Sequence, residues 1–261
     1  MSPSASLLLL LLLGLSQAQI YQEEEMENDA EKDGVDISTR ILTANNASDE
    51  FLLEGDLLPP TSRNAMTCWG NSCLWKKSGR QVVVPYVVSR QFPSYERQMI
   101  EGAMRAFAGR TCVRFTPRRN EYDYISIENK RGCWSVLGRE GGRQELSLNR
   151  GGCMYSGVIQ HELNHALGFQ HEQTRSDRDN YVRINWNNII QSSAYNFHKH
   201  NTNNLNTPYD YSSIMHYGRT AFSVGYGRET ITPIPNRNVA IGQRRGLSRW
   251  DIQRINLLYR C

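Results

Sequence analysis

The chain contains no CxxC pair, no internal repeat, and no apolar run after its first fifteen residues long enough to anchor it in a membrane. The first absence excludes a cysteine-held zinc site, whose ligands come as closely spaced pairs. The last leaves the body of the chain with no membrane anchor, so a soluble protein is expected. Aromatic and basic residues are scarce between positions 19 and 63, where 12 Asp or Glu stand against 3 Lys or Arg. That composition reads as an acidic, solvated leader rather than as part of a core, most clearly from Glu23-Glu24-Glu25 through Asp36.

Beside these absences stand several positive features. Leucine fills positions 7–13, followed by Gly14, Leu15 and the small-residue pattern Ser16-Gln17-Ala18. Although no Lys or Arg precedes it, the run reads as a signal peptide cut near Ala18, which sends the chain through a secretory granule to the extracellular space. From position 64 onward 27 basic residues face 14 acidic ones, so an acidic leader joins a basic body. Such a body favours encounters with acidic surfaces, and export makes nucleic acid the poorest match among them. Six cysteines, Cys68, Cys73, Cys112, Cys133, Cys153 and Cys261, imply three disulfides in an exported chain. Their 15 possible pairings are left open by spacing alone. Asn46-Ala47-Ser48 is a glycosylation sequon inside the leader.

Residues 1–18 are thus expected to be a signal peptide, 19–63 a propeptide, and 64–261 a catalytic domain. The turn-like Leu58-Pro59-Pro60-Thr61-Ser62-Arg63 ends the leader, and Arg63 suits an activating protease of trypsin-like preference. In the body, residues 82–88 read as a strand with Pro85 at a bulge or edge, and 94–107 as a helix capped by Ser94. Short strands follow near 112–115, 124–127 and 145–148, then a helix over 156–167 ended by Gly168. A closing helix over 248–258 begins with a capping pair, Ser248 and Asp251. The pattern predicts an α+β fold of two lobes, a mixed-sheet lobe and a mostly irregular one, with the 156–167 helix between them.

The chemistry sits in His161-Glu162-Leu163-Asn164-His165-Ala166-Leu167-Gly168-Phe169-Gln170-His171. At about 100° per residue, His161 and His165 fall about 40° apart on one helix face, where two imidazoles reach one metal. Glu162 points about 100° away, beside the metal rather than on it, as a proton acceptor requires. Gly168 permits the left-handed turn that returns His171 to the same point. Three neutral nitrogens leave one position open, the mark of a catalytic zinc. Met215 and Tyr217 lie in Ser213-Ile214-Met215-His216-Tyr217-Gly218, as a buried turn under the metal and a phenol able to hold an oxyanion.

The stretch HELNHALGFQHEQTRSDRDNY with SIMHYG resembles the astacin family of metzincin zinc endopeptidases, and the likeness covers residues 64–261. NAMTCWGNSCLWKKSG, EGAMRAF, NRGGCMYSG and RWDIQRINLLYRC are similar to the fish hatching-enzyme, or choriolysin, branch. The resemblance implies a Met-turn at Met215, Tyr217 as a further zinc ligand that swings to the transition state, and disulfides Cys112–Cys261, Cys133–Cys153 and Cys68–Cys73. It also implies latency through a propeptide Asp in an FxGD pattern. Leu53-Glu54-Gly55-Asp56 matches with Leu for Phe, making Asp56 the candidate switch, a solvated loop Asp being the alternative. Glu172 is tied in the family to the mature N-terminus. The expected protein is a monomeric zinc protease digesting egg-envelope glycoproteins. Another six-cysteine astacin with other extracellular substrates, or a non-catalytic binding protein, are the alternatives.

Overall fold

The computed structural model describes residues 34–59, 72–243 and 245–261. Asp36–Cys261 is one compact unit, and no helix among the described residues is long and apolar enough to cross a membrane. The signal-peptide stretch, Arg63 and Cys68 lie outside the described residues.

The larger sheet grows from the β-branched run predicted as a strand. β2 (Gln81–Val88) pairs antiparallel with β1 (Lys77–Ser78) and parallel with β3 (Val113–Pro117) and β4 (Tyr124–Glu128). β4 pairs parallel with β6 (Arg143–Leu148), and β6 antiparallel with β5 (Cys133–Ser135), the edge strand. Alternation buries Val82, Val84 and Tyr86. Pro85 is tolerated because of its side of the ladder. Val82 N donates toward β3, to Cys112 O, and Val83 N toward β1, to Lys76 O. Alternation therefore turns the missing Pro85 donor to the β1 side, in the gap after β1 pairs at 81–82 and before β4 pairs at 86–88.

Four α-helices pack around this frame among the described residues: α1 (Ile37–Asn45), α2 (Ser94–Ala108), α3 (Ser156–Ala166) and α4 (Arg249–Tyr259). Ser94 is the first helical residue of α2 rather than its cap, a position held by the extended Pro93. The buried face of α2 is Ile100, Ala103, Met104 and Phe107. α4 has the expected capping box, with Ser248 and Asp251 satisfying each other's backbone N–H groups. Between α3 and α4 the chain is largely 3-10 turns and loops around a two-stranded sheet of β7 (Val182–Ile184) and β8 (Ile231–Pro233). Apolar residues form two clusters, one between sheet, α2 and α3, the other around Phe197, Tyr209, Tyr217 and Ile231. The α+β fold and its two lobes are as expected.

α1 is the element that composition concealed. It lies in the acidic leader, where Asp36, half-buried instead of solvated, caps it through Thr39 N at 2.9 Å. Ile37 and Ile41 enter the first apolar cluster, and exposed Asn46, of the sequon, is the helix C-cap.

Cys112–Cys261 and Cys133–Cys153 are bonded, with Cα separations of 5.3 and 5.7 Å; Cys73 is disulfide-bonded too. The Cys133 bridge ties the edge strand to the loop entering α3. Replacing both Cys133 and Cys153 by Ala should lower unfolding free energy by about 3 kcal/mol, as expected for a loop of that length. Denaturant titration would measure it, and an unchanged midpoint would show that packing alone holds β5.

Candidate metal centre

α3 lies wholly inside the protein, with every residue from Gly157 to Ala166 buried. His161 and His165, one turn apart, share a face, and Gly168 at φ +102° ends the helix. A Cβ there would meet nothing closer than 3.8 Å, so the backbone angle, not space, calls for glycine. The turn brings His171 back against the other two rings.

Each imidazole is oriented by an acceptor behind it. His161 Nδ1 donates to Ile214 O at 2.8 Å, His165 Nδ1 to Phe169 O at 2.7 Å, and His171 Nδ1 to Glu54 Oε2 at 2.8 Å. Carbonyl oxygens only accept, so the proton sits on Nδ1 of His161 and His165, and the Nε2 lone pairs face inward. Asp56 meets them from the leader. Its Oδ2 is 3.0 Å from His161 Nε2 and 3.2 Å from His171 Nε2, and its Oδ1 is 3.3 Å from His165 Nε2. All four donor atoms lie within 4.8 Å of one another.

This set fits zinc. Ligands on a tetrahedron of 2.0–2.1 Å bonds stand about 3.3 Å apart, close to the spacings above. His161 Nε2 and His171 Nε2 face each other at 3.2 Å, a spacing that would let one cation take both lone pairs. His165 Nε2 and Asp56 Oδ1 are buried without a hydrogen-bond partner. Burial would raise the Asp56 carboxyl, but the surrounding imidazoles, His171 and His165 foremost, hold it well below the usual carboxylate range.

Glu162 is fully buried, and neither carboxylate oxygen has a hydrogen-bond partner. Burial, and then the Asp56 charge, push its pKa well above the ordinary value. Met215 is buried in the turn beneath the rings; its N–H bonds Ser213 Oγ, and the neighbouring Ile214 carbonyl orients His161. Tyr217 packs 4.7 Å from the His171 ring, centroid to centroid, and its hydroxyl donates to Glu54 O. In this state Asp56, rather than Tyr217, stands beside the three histidines.

Residues 71–260 match the peptidase family described as Astacin. The chain belongs to the astacin family. It is a zinc metalloendopeptidase. Over 100% of its length it is 67% identical to high choriolytic enzyme 1 and 66% identical to high choriolytic enzyme 2 of Oryzias latipes, covering 99% of each. Low choriolytic enzyme of the same fish is 54% identical over 98% of both chains. A solved structure described as high choriolytic enzyme 1, a hatching enzyme zinc-protease from Oryzias latipes, superposes with a TM-score of 0.74 at 72% identity, covering 76% of this chain and all of that one.

Several residues around this astacin centre make contacts that the sequence did not announce. Glu54, two residues before Asp56, bonds His171 and pairs with His200 Nε2 at 2.6 Å. Against its burial, these two histidines bring its pKa down to about 2. Asn45 Nδ2 donates to both Gly55 O and Cys133 O, and Cys133 N donates back to Asn45 Oδ1, so one amide clasps the Asp56 loop to the edge strand. Glu172 is held by Arg254 at 2.5 and 2.9 Å, Arg175 at 3.2 Å and Asp210 N at 2.7 Å. Arg175 also pairs with Asp177. Asp251 was read only as a cap, yet its carboxylate also takes Ser213 Oγ at 2.6 Å and Ile214 N at 2.9 Å.

Because Asp251 fixes the turn that orients His161, Asp251→Ala should cost about 1–3 kcal/mol for each buried donor left unpaired. Zinc affinity should also fall by about 10-fold or more through the loosened backing of His161. Denaturant melts and a competitive zinc titration read the two effects, with Asp251→Asn expected between wild type and Ala.

Proposed function

We propose that the chain is made as a secreted zymogen, with signal peptide 1–18, propeptide 19–63 and catalytic domain 64–261, and that the mature enzyme digests egg-envelope glycoproteins at hatching. One observation carries the latency: a carboxylate from the acidic leader, Asp56, fills the fourth place beside the three imidazoles. The relatives named for choriolysis, aligned along the whole chain, support the substrate. A protease acting near Arg63 would release the leader, and a glycan on Asn46 would leave with it.

His161, His165 and His171 would hold the metal by their Nε2 atoms, and loss of Asp56 would free the fourth place beside them. Bound zinc supplies positive charge that polarises a scissile carbonyl and lowers the pKa of water. Glu162 takes the proton of the attacking water on a carboxylate oxygen and returns it to the departing amine. A buried, unpartnered carboxylate suits that exchange, because burial makes its protonated form more accessible than that of an exposed one. With Glu54 gone, the Tyr217 hydroxyl is free to turn toward the metal or to donate to the oxyanion of the dividing carbonyl.

Glu162→Gln should bring peptide cleavage down by several orders of magnitude while zinc content stays at one ion per chain, assayed by casein hydrolysis and elemental analysis. Wild-type turnover in the processed variant would remove Glu162 from the mechanism. Conversely, Asp56→Ala should give an uncut precursor that hydrolyses a short fluorogenic peptide where the parent precursor is silent. An intact, equally silent variant would refute the switch. For the substrate, the processed enzyme should swell or dissolve isolated egg envelope; no effect would favour another six-cysteine astacin role.

A further inference from the structure

The switch loop is not the only part of the leader fitted to the protease. Helix α1 lies in a seat built from glycines of the catalytic domain. A Cβ on Gly157 would come within 2.6 Å of Ile37 Cδ1, one on Gly152 within 3.0 Å of Ala44 Cβ, and one on Gly218 within 2.7 Å of Asp36 Oδ2. One on Gly132 would collide with Asn45 Oδ1. These positions follow α1 from its cap to its last residue, so the fit is continuous along the helix.

Polar groups match in the same way. Ile37 N donates to Gln243 O at 3.1 Å, and Gly218 N to Ser38 Oγ at 2.8 Å. The Arg40 guanidinium lies 3.9 Å over the Tyr155 ring. At the far end, Asn45 exchanges hydrogen bonds with the Cys133 backbone of edge strand β5. Ile37 and Ile41 are 3% and 1% exposed and share a cluster with Val158 and Ile159 of α3.

None of these contacts involves Asp56 or the imidazoles. We infer that the mature enzyme retains a helix-binding groove, separate from the metal centre, whose ligand is the released leader segment 36–48, which carries helix α1, acting in trans. Its recognition elements are an acidic N-cap, isoleucines four residues apart, a small residue where Gly152 approaches, and a terminal amide that bonds an open strand edge. This rests on the proposed removal of the leader. Cutting the chain then does not by itself empty the groove; dilution does. Because α1 reaches across to β5, a bound helix also covers part of the strand edge beside the catalytic pocket.

A synthetic peptide of residues 36–48 lacks Glu54 and Asp56 and has no group for the metal. It should bind the processed enzyme in a fluorescence anisotropy titration with a dissociation constant on the order of 10 to 100 μM, weakened by the helical order a short free peptide lacks. Ile37→Glu or Ile41→Glu in the peptide should weaken binding by roughly 30-fold or more, since each places a charge in an apolar seat. Gly152→Val in the enzyme should do the same, with folding checked by thermal melting. Absence of binding up to about 1 mM would overturn the groove, as would Ile variants that bind like the parent. A processed protein that binds the peptide but cleaves nothing would instead overturn the catalytic reading and leave the groove standing.

Discussion

Three imidazoles converge at one buried point, and the surrounding fold serves to keep them there. The rings turn their outer nitrogens to fixed acceptors, and the inner nitrogens of His161 and His171 stand 3.2 Å apart, at the spacing of two ligands on one ion. A buried helix fixes two rings, a glycine turn returns the third, and backbone carbonyls from two different segments set the first two ring planes. The Met-turn is a backing for His161, and the C-terminal helix, through Asp251, is a backing for the Met-turn. That chain of supports runs from the last helix of the sequence to the metal without a solvent-exposed link.

The leader exploits the same pocket by completing it. Asp56 brings the charge, Glu54 takes the outer nitrogen of His171 and its carbonyl occupies Tyr217, and Asn45 closes the strand edge. Each of the groups proposed for catalysis therefore has a leader residue against it or, in the case of Glu162, a leader charge nearby.

The metal site was legible because its chemistry is local. Four of its residues fall within eleven positions, where helical geometry alone predicts which side chains converge. Strands with β-branched runs and the Ser248–Asp251 cap were readable for the same reason. What could not be read is what depends on distant partners. α1 offered only a capping Asp36 and two isoleucines in a strongly charged stretch, and the glycines that make room for it lie some 90 to 180 positions away. The mistake there was to let average composition stand for burial. Glu54 and Asn45 likewise look like ordinary polar loop residues until the fold sets them on His171 and Cys133. The Glu172 carboxylate, expected by resemblance to concern the mature N-terminus, is enclosed here by Arg254 and Arg175, and nothing in the sequence near Glu172 announces Arg254.

The placement of Ile37 and Ile41 in the main apolar cluster has a consequence for durability. Under the proposed activation, part of the core is mounted on a detachable piece. When that piece departs, the apolar floor it covered faces water, and the active form becomes the less stable of the two. A protease released outside the cell in that condition is timed as well as triggered, its working life bounded by how long a core with one open side stays folded.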